Sequence, residues 1–106
     1  MTGYRLTLDA RSDLVQIRTY TLKQWGKAQS QKYFAQLRKT IRMLSDNHAM
    51  GKRQQDVGLN VLSFPYSSHV IYYVVSRQQL VVFAVLHKRM VPLNHIGERE
   101  MTQSDT

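Results

Sequence analysis

Two near-continuous apolar runs dominate the pattern of the chain. His69 to Val75 and Leu80 to Leu86 are rich in β-branched and aromatic residues, and Ser76-Arg77-Gln78-Gln79 separates them. This reads as two strands joined by a short polar turn. Neither run alternates cleanly between apolar and polar positions. The strands are therefore expected to be covered on both faces, or on one face with a partner on the other. Upstream, Tyr4-Arg5-Leu6-Thr7-Leu8 alternates as a short first strand. A helix from about Ala10 to Trp25 places Ala10, Leu14, Ile17, Thr21 and Trp25 on one stripe, with Asp9 as its expected cap. Gly26 is a natural C-terminal stop. From Lys27 or Ala28 to about Ser45, Phe34, Leu37, Ile41 and Leu44 repeat at helical spacing and form a second core-facing stripe. A single glycine between the two helices predicts an antiparallel hairpin.

Asp46 to Asp56 is polar and aperiodic and reads as a loop, with His48 exposed. Gly58 to Pro65 reads as another strand, with Leu62 and Phe64 on one face and Val61 on the other. Pro65 donates no hydrogen bond, so it belongs at a strand end or an edge. Val91 to Gly97 is expected to be irregular or a single helical turn. The predicted order is β-α-α-β-β-β. That is an α+β fold: an N-terminal strand and an antiparallel helical hairpin packed on a largely antiparallel sheet.

At 106 residues the chain has room for one modest core. The expected domain is residues 1–96, and residues 97–106 form a polar, frayed tail. Hydrophobic residues make up 42% and charged residues 21%, a globular balance. No apolar run approaches the roughly 20 residues that cross a bilayer, and the N-terminus does not read as a signal segment, so a cytoplasmic protein is expected. There are no cysteines, which excludes disulfides, thiolate metal sites and cysteine nucleophiles. His48, His69, His87 and His95 show no metal-ligand spacing, and no motif asks for a cofactor.

The formal net charge of +8 is large for this length and predicts an anionic partner. Between Ala10 and Ser45 the one acid is Asp13, against Arg11, Arg18, Lys23, Lys27, Lys32, Arg38, Lys39 and Arg42. That basic hairpin is either a solvated face or a partner surface. The second apolar run ends abruptly in His87-Lys88-Arg89, which is either the solvated end of a strand or a functional cluster.

Several local motifs occur in a telling order. They are Leu6-Thr7 before Ala10-x-x-Asp13-Leu14; Tyr20 with Trp25-Gly26-x-Ala28-Gln29; Tyr33 and Leu37; Ser68-His69-Val70-Ile71-Tyr72-Tyr73; and Val85-Leu86-His87-x-x-Met90. In this order and at these spacings the chain resembles the RelE/ParE superfamily of bacterial toxins, and the ParE branch in particular, over about residues 1–96. Val91-Pro92 departs from the pattern, since relatives often carry an acidic residue there. The resemblance implies a toxin of a type II toxin–antitoxin pair. Its antitoxin, ParD-like and acidic, would wrap the toxin with a C-terminal segment in a hetero-oligomer. ParE-type toxins block DNA gyrase, whereas RelE-type relatives cut messenger RNA on the ribosome.

Cleaving RNA needs a base, an acid and cations for the phosphate. The strand Val61 to Phe64 carries no Arg or Lys, no Tyr accompanies His87, and Asp56 is the nearest candidate base. The expected protein is therefore not an enzyme, and no residue is assigned as catalytic or metal-binding. Gyrase inhibition needs only a docking surface, and His87, Lys88, Arg89 and Met90 are its candidates, with Val91 to Ile96 following. Antitoxin binding is expected at Arg11, Arg18, Tyr20, Lys23, Trp25, Tyr33, Arg38 and Arg42. The plainer reading of Trp25, which ends the buried stripe, is ordinary core. A basic nucleic-acid-binding module is a further alternative, but no recognition signature supports sequence-specific binding.

Overall fold

The computed structural model describes residues 3–90, 92–96 and 99–100, apart from the side chains of Leu93 and Ile96. The chain opens with β1 (Tyr4–Leu6) and passes directly into α1 (Leu8–Trp25). Thr7 joins the two. Its N–H donates to Val82 O, completing the sheet, and its Oγ1 accepts from Ala10 N at 3.1 Å. The cap is therefore Thr7, not Asp9. Both residue types cap well, but β1 runs into the helix without a loop, so the last sheet residue becomes the first helix cap. Asp9 sits in the first turn, where a carboxylate complements the helix dipole.

Gly26, at φ 88°, turns the chain between α1 and α2 (Lys27–Asp46). The left-handed φ is one that glycine adopts without a Cβ clash. The two helices are joined through a buried Thr21 Oγ1···Ser30 Oγ contact of 2.7 Å. A 3₁₀ turn, His48–Met50, and a two-residue strand, β2 (Lys52–Arg53), occupy what the sequence presents as a loop. His48 is half-buried rather than exposed. Its carbonyl accepts from Tyr73 Oη at 2.8 Å, and this tie draws it in. β3 (Leu62–Tyr66), β4 (His69–Ser76), β5 (Gln79–His87) and the short helix α3 (Pro92–Ile96) complete the fold.

The sheet order is β1-β5-β4-β3-β2, parallel between β1 and β5 and antiparallel elsewhere. β2 pairs only with Leu62 and Ser63, so β3 is an edge by the time it reaches Pro65. The proline is thereby accommodated inside a strand. Apart from exposed Val75, the apolar runs are buried on both faces, as their lack of alternation implied. One face packs Ile71, Tyr73, Leu80, Val82 and Val85 under Ala10, Ile17, Leu37, Ile41 and Leu44 of the helices. The other gathers Tyr72, Val74, Val81, Phe83 and Leu86 with Val61. Tyr72 faces Ala84 and Tyr73 faces Val82, so Phe83 is the extra residue of a bulge.

Candidate functional site: an aromatic and basic end, and a groove beside the helices

One end of the molecule collects the close of α1, the start of α2, the β3–β4 turn and the exit of β5. Tyr33 is its hub. Its ring contacts Trp25 at 5.3 Å, Tyr66 at 5.0 Å and His69 at 5.8 Å between centroids, and His69 in turn meets His87 at 5.5 Å. Tyr66 Oη donates to Tyr33 O at 2.7 Å, and Tyr33 Oη lies 2.6 Å from His69 Nδ1. Burial raises the Tyr33 phenol pKa, opposed by hydrogen bonds from the Ser67 side chain and the Ser68 backbone. We assign the Tyr33 hydroxyl as the donor to His69 Nδ1, because a neutral phenol has one proton and the Ser68 backbone N–H already bonds its oxygen.

With that assignment the His69 proton sits on Nε2. Burial, and then the neighbouring His87, push the His69 pKa down to about 4. His87 Nδ1 accepts from Arg89 N at 3.2 Å. Both histidines have committed their Nδ1 lone pairs. A general base needs a free lone pair and a general acid needs a proton to give at neutral pH. His69 meets neither condition, and the Nδ1 of His87 is already engaged by Arg89 N.

Around this pair lies a pocket of about 480 Å³, lined by Ile17, Tyr20, His69, His87, Met90 and His95, with Asp13 and Arg99 among its walls. Tyr20 is 57% and Met90 41% exposed, enough to be touched by a partner. Lys88 and Arg89 are exposed in the turn that follows, held by Lys88 N→Ser68 O and Met90 N→His87 O, both at 2.9 Å.

A second concavity, about 860 Å³, runs beside the helical hairpin. Its apolar floor includes Leu6, Leu14, Val15, Leu22, Phe34 and Ile41, and Arg18, Lys27 and Arg38 also line it. Val15 is 65% and Leu22 42% exposed. With Leu8 they form a stripe at seven-residue spacing on the outer side of α1, two helical turns apart at each step.

The family model of the ParE toxin of type II toxin–antitoxin system, parDE, matches residues 4–92. The chain belongs to the ParE toxin family. It is 32% identical over 97 residues to Toxin ParE1 of Caulobacter vibrioides, covering 92% of this chain and 100% of that one. It is 31% identical over 101 residues to Toxin ParE of Escherichia coli, covering 93% and 97% respectively. A solved structure titled as the chromosomal ParDE TA system from P. aeruginosa matches with a TM-score of 0.71 over 82% of this chain and 96% of that chain. At 14% identity that likeness speaks to the fold.

On this ParE frame the sequence-expected residues divide. His87 and Met90 share the pocket, with Lys88 and Arg89 beside them. Val91 lies outside the described residues, so the consequence of the Val91-Pro92 departure does too. Arg18 and Arg38 line the groove, while Arg11, Lys23 and Arg42 are exposed but do not line it. Tyr20 belongs with His87 rather than with the groove. Trp25 is 39% exposed and rests on Tyr33, so it is neither full core nor free surface. Tyr33 is 9% exposed and organises its surroundings from within instead of offering a docking face. Reading from sequence missed the stripe Leu8, Val15, Leu22, although its spacing is visible once a second face is sought. It also missed Arg99, which carries no local signal.

Proposed function

We propose that this ParE-family toxin is non-catalytic, that it inhibits DNA gyrase through its aromatic and basic end, and that an acidic ParD-like antitoxin neutralises it from the groove. The observation that carries the reading is the double commitment of His69 and His87 through Nδ1. It supports a docking role, since the end of the molecule then presents donors, aromatic faces and cations with both Nδ1 atoms engaged. The choice of gyrase follows from the resemblance to the ParE branch. The groove supports the antitoxin assignment: exposed apolar side chains at helical spacing, with Arg18, Lys27 and Arg38 alongside, fit an amphipathic helix whose polar side is acidic. An antitoxin seated there would leave the toxin cytoplasmic within a hetero-oligomer. The solved ParDE system similar in fold supports such a pairing.

The test is supercoiling of relaxed plasmid by purified gyrase. Lys88→Ala with Arg89→Ala is expected to weaken inhibition at least tenfold at equal folded concentration. Undiminished inhibition by that variant removes the two cations from the mechanism. Cleavage of ribosome-bound messenger RNA with gyrase unaffected would instead restore the RelE-type reading.

A further inference from the structure

β1 pairs with β5 only as far as Val82. Beyond that point β5 continues from Phe83 to His87 with its edge turned toward α1. Two backbone groups on this stretch are satisfied by side chains. Asp13 Oδ2 accepts from Val85 N at 3.0 Å, and Arg99 Nη1 donates to Phe83 O at 3.1 Å. The same two side chains pair with each other in a fork: Nη1 to Oδ2 at 2.6 Å and Nη2 to Oδ1 at 2.9 Å. Asp13 is buried and Arg99 nearly so, at 8% and 18% side-chain exposure. Asp13 on Val85 N and Arg99 on the carbonyl of the bulge residue Phe83 therefore stand in for the missing strand.

Arg99 follows Ile96, the last residue of α3, by three peptide units. Three extended residues span at most about 11 Å, so fixing Arg99 limits how far α3 can leave β5. The other end of α3 is restrained by the turn in which Met90 N donates to His87 O. His95 of α3 lines the same pocket as His87, Met90 and Tyr20.

The geometry points to the Asp13–Arg99 pair as a positioning element for the target-docking surface: it anchors α3 against β5 and so shapes the pocket beside His87. This rests on the docking reading above and names what holds that surface together. Arg99 does not need to touch the target. It acts through α3, and the forked geometry makes arginine the fitting cation, because lysine offers a single point charge with no planar fork.

The test compares Arg99→Ala, Arg99→Lys and the charge-free pair Asp13→Asn with Arg99→Gln against the parent protein. Gyrase inhibition is measured at a temperature where circular dichroism shows each variant folded, and amide hydrogen exchange of residues 93–96 is followed in parallel. Arg99→Ala is expected to lose at least tenfold in inhibition and to exchange its α3 amides at least tenfold faster. Arg99→Lys is expected to recover part of both. The charge-free pair keeps the shape without a buried lone charge, and it covers the case in which Arg99→Ala does not fold. Two results overturn the proposal: unchanged α3 exchange when the pair is removed, or faster exchange with undiminished inhibition. If the parent itself fails to inhibit gyrase, the docking reading has failed first, and the exchange data still decide whether the pair holds α3.

Discussion

Tyr73 joins the core to the 3₁₀ turn through one hydroxyl. It is fully buried, donates to His48 O at 2.8 Å and accepts from Gly51 N at 2.9 Å. Tyr73→Phe strands both backbone groups and is expected to lower stability by about 1–3 kcal/mol, read from urea unfolding. A loss below a few tenths would show that water replaces the hydroxyl. At Gly51 an added Cβ would overlap the same Tyr73 oxygen, which explains a glycine at a backbone angle any residue could adopt. His69 sets a pH dependence. Its pKa is pushed down to about 4 in the folded chain and returns to about 6.5 on unfolding. The unfolded state therefore binds more protons between those values, and stability falls as pH drops from about 6.5 toward 4. His69→Gln should flatten that fall, and an unchanged slope would mean that another group titrates. None of this was legible in the residues alone. The sequence marks His69 as a strand residue, and only the fold brings Tyr33 and His87 to it.

The elements were legible to different degrees, for physical reasons. β4 and β5 announce themselves through β-branched density, and the helices through their stripes. β2 could not be read, since Lys52-Arg53 is too short and too polar to carry a period. The β4–β5 turn holds Arg77 and Gln78 at φ 52° and 65°, a left-handed pair that usually selects Asn-Gly, so its turn chemistry was hidden although its position was plain. In α1 the core-facing stripe masked the second one. Val15, in that second stripe, is 65% exposed, so Val15→Glu should leave the melting temperature nearly unchanged. In the groove it places a carboxylate before an acidic partner helix, and affinity for the cognate antitoxin, measured by calorimetry, is expected to fall at least tenfold. Retained affinity would move the antitoxin to another face.

At the scale of the whole molecule, the charge of +8 separates into regions with different settings. Arg18, Lys27 and Arg38 line an apolar groove, while Lys88 and Arg89 follow an aromatic cluster at the exit of β5. The two regions share α1 but use different residues of it, Leu14, Val15, Arg18 and Leu22 for the groove and Ile17 and Tyr20 for the docking end, so a partner in the groove need not occupy the docking end directly. The sequence showed the excess charge but not its division, because the residues that separate the regions are distant along the chain. Asp13 is the plainest case: its partner Arg99 lies 86 positions away. The proposed docking on gyrase is decided by plasmid supercoiling with purified gyrase and the parent protein, beside a ribosome-dependent messenger-RNA cleavage assay. Blocked supercoiling with intact messenger RNA is expected; cut messenger RNA with gyrase at full activity would make the toxin a ribosome-dependent nuclease instead.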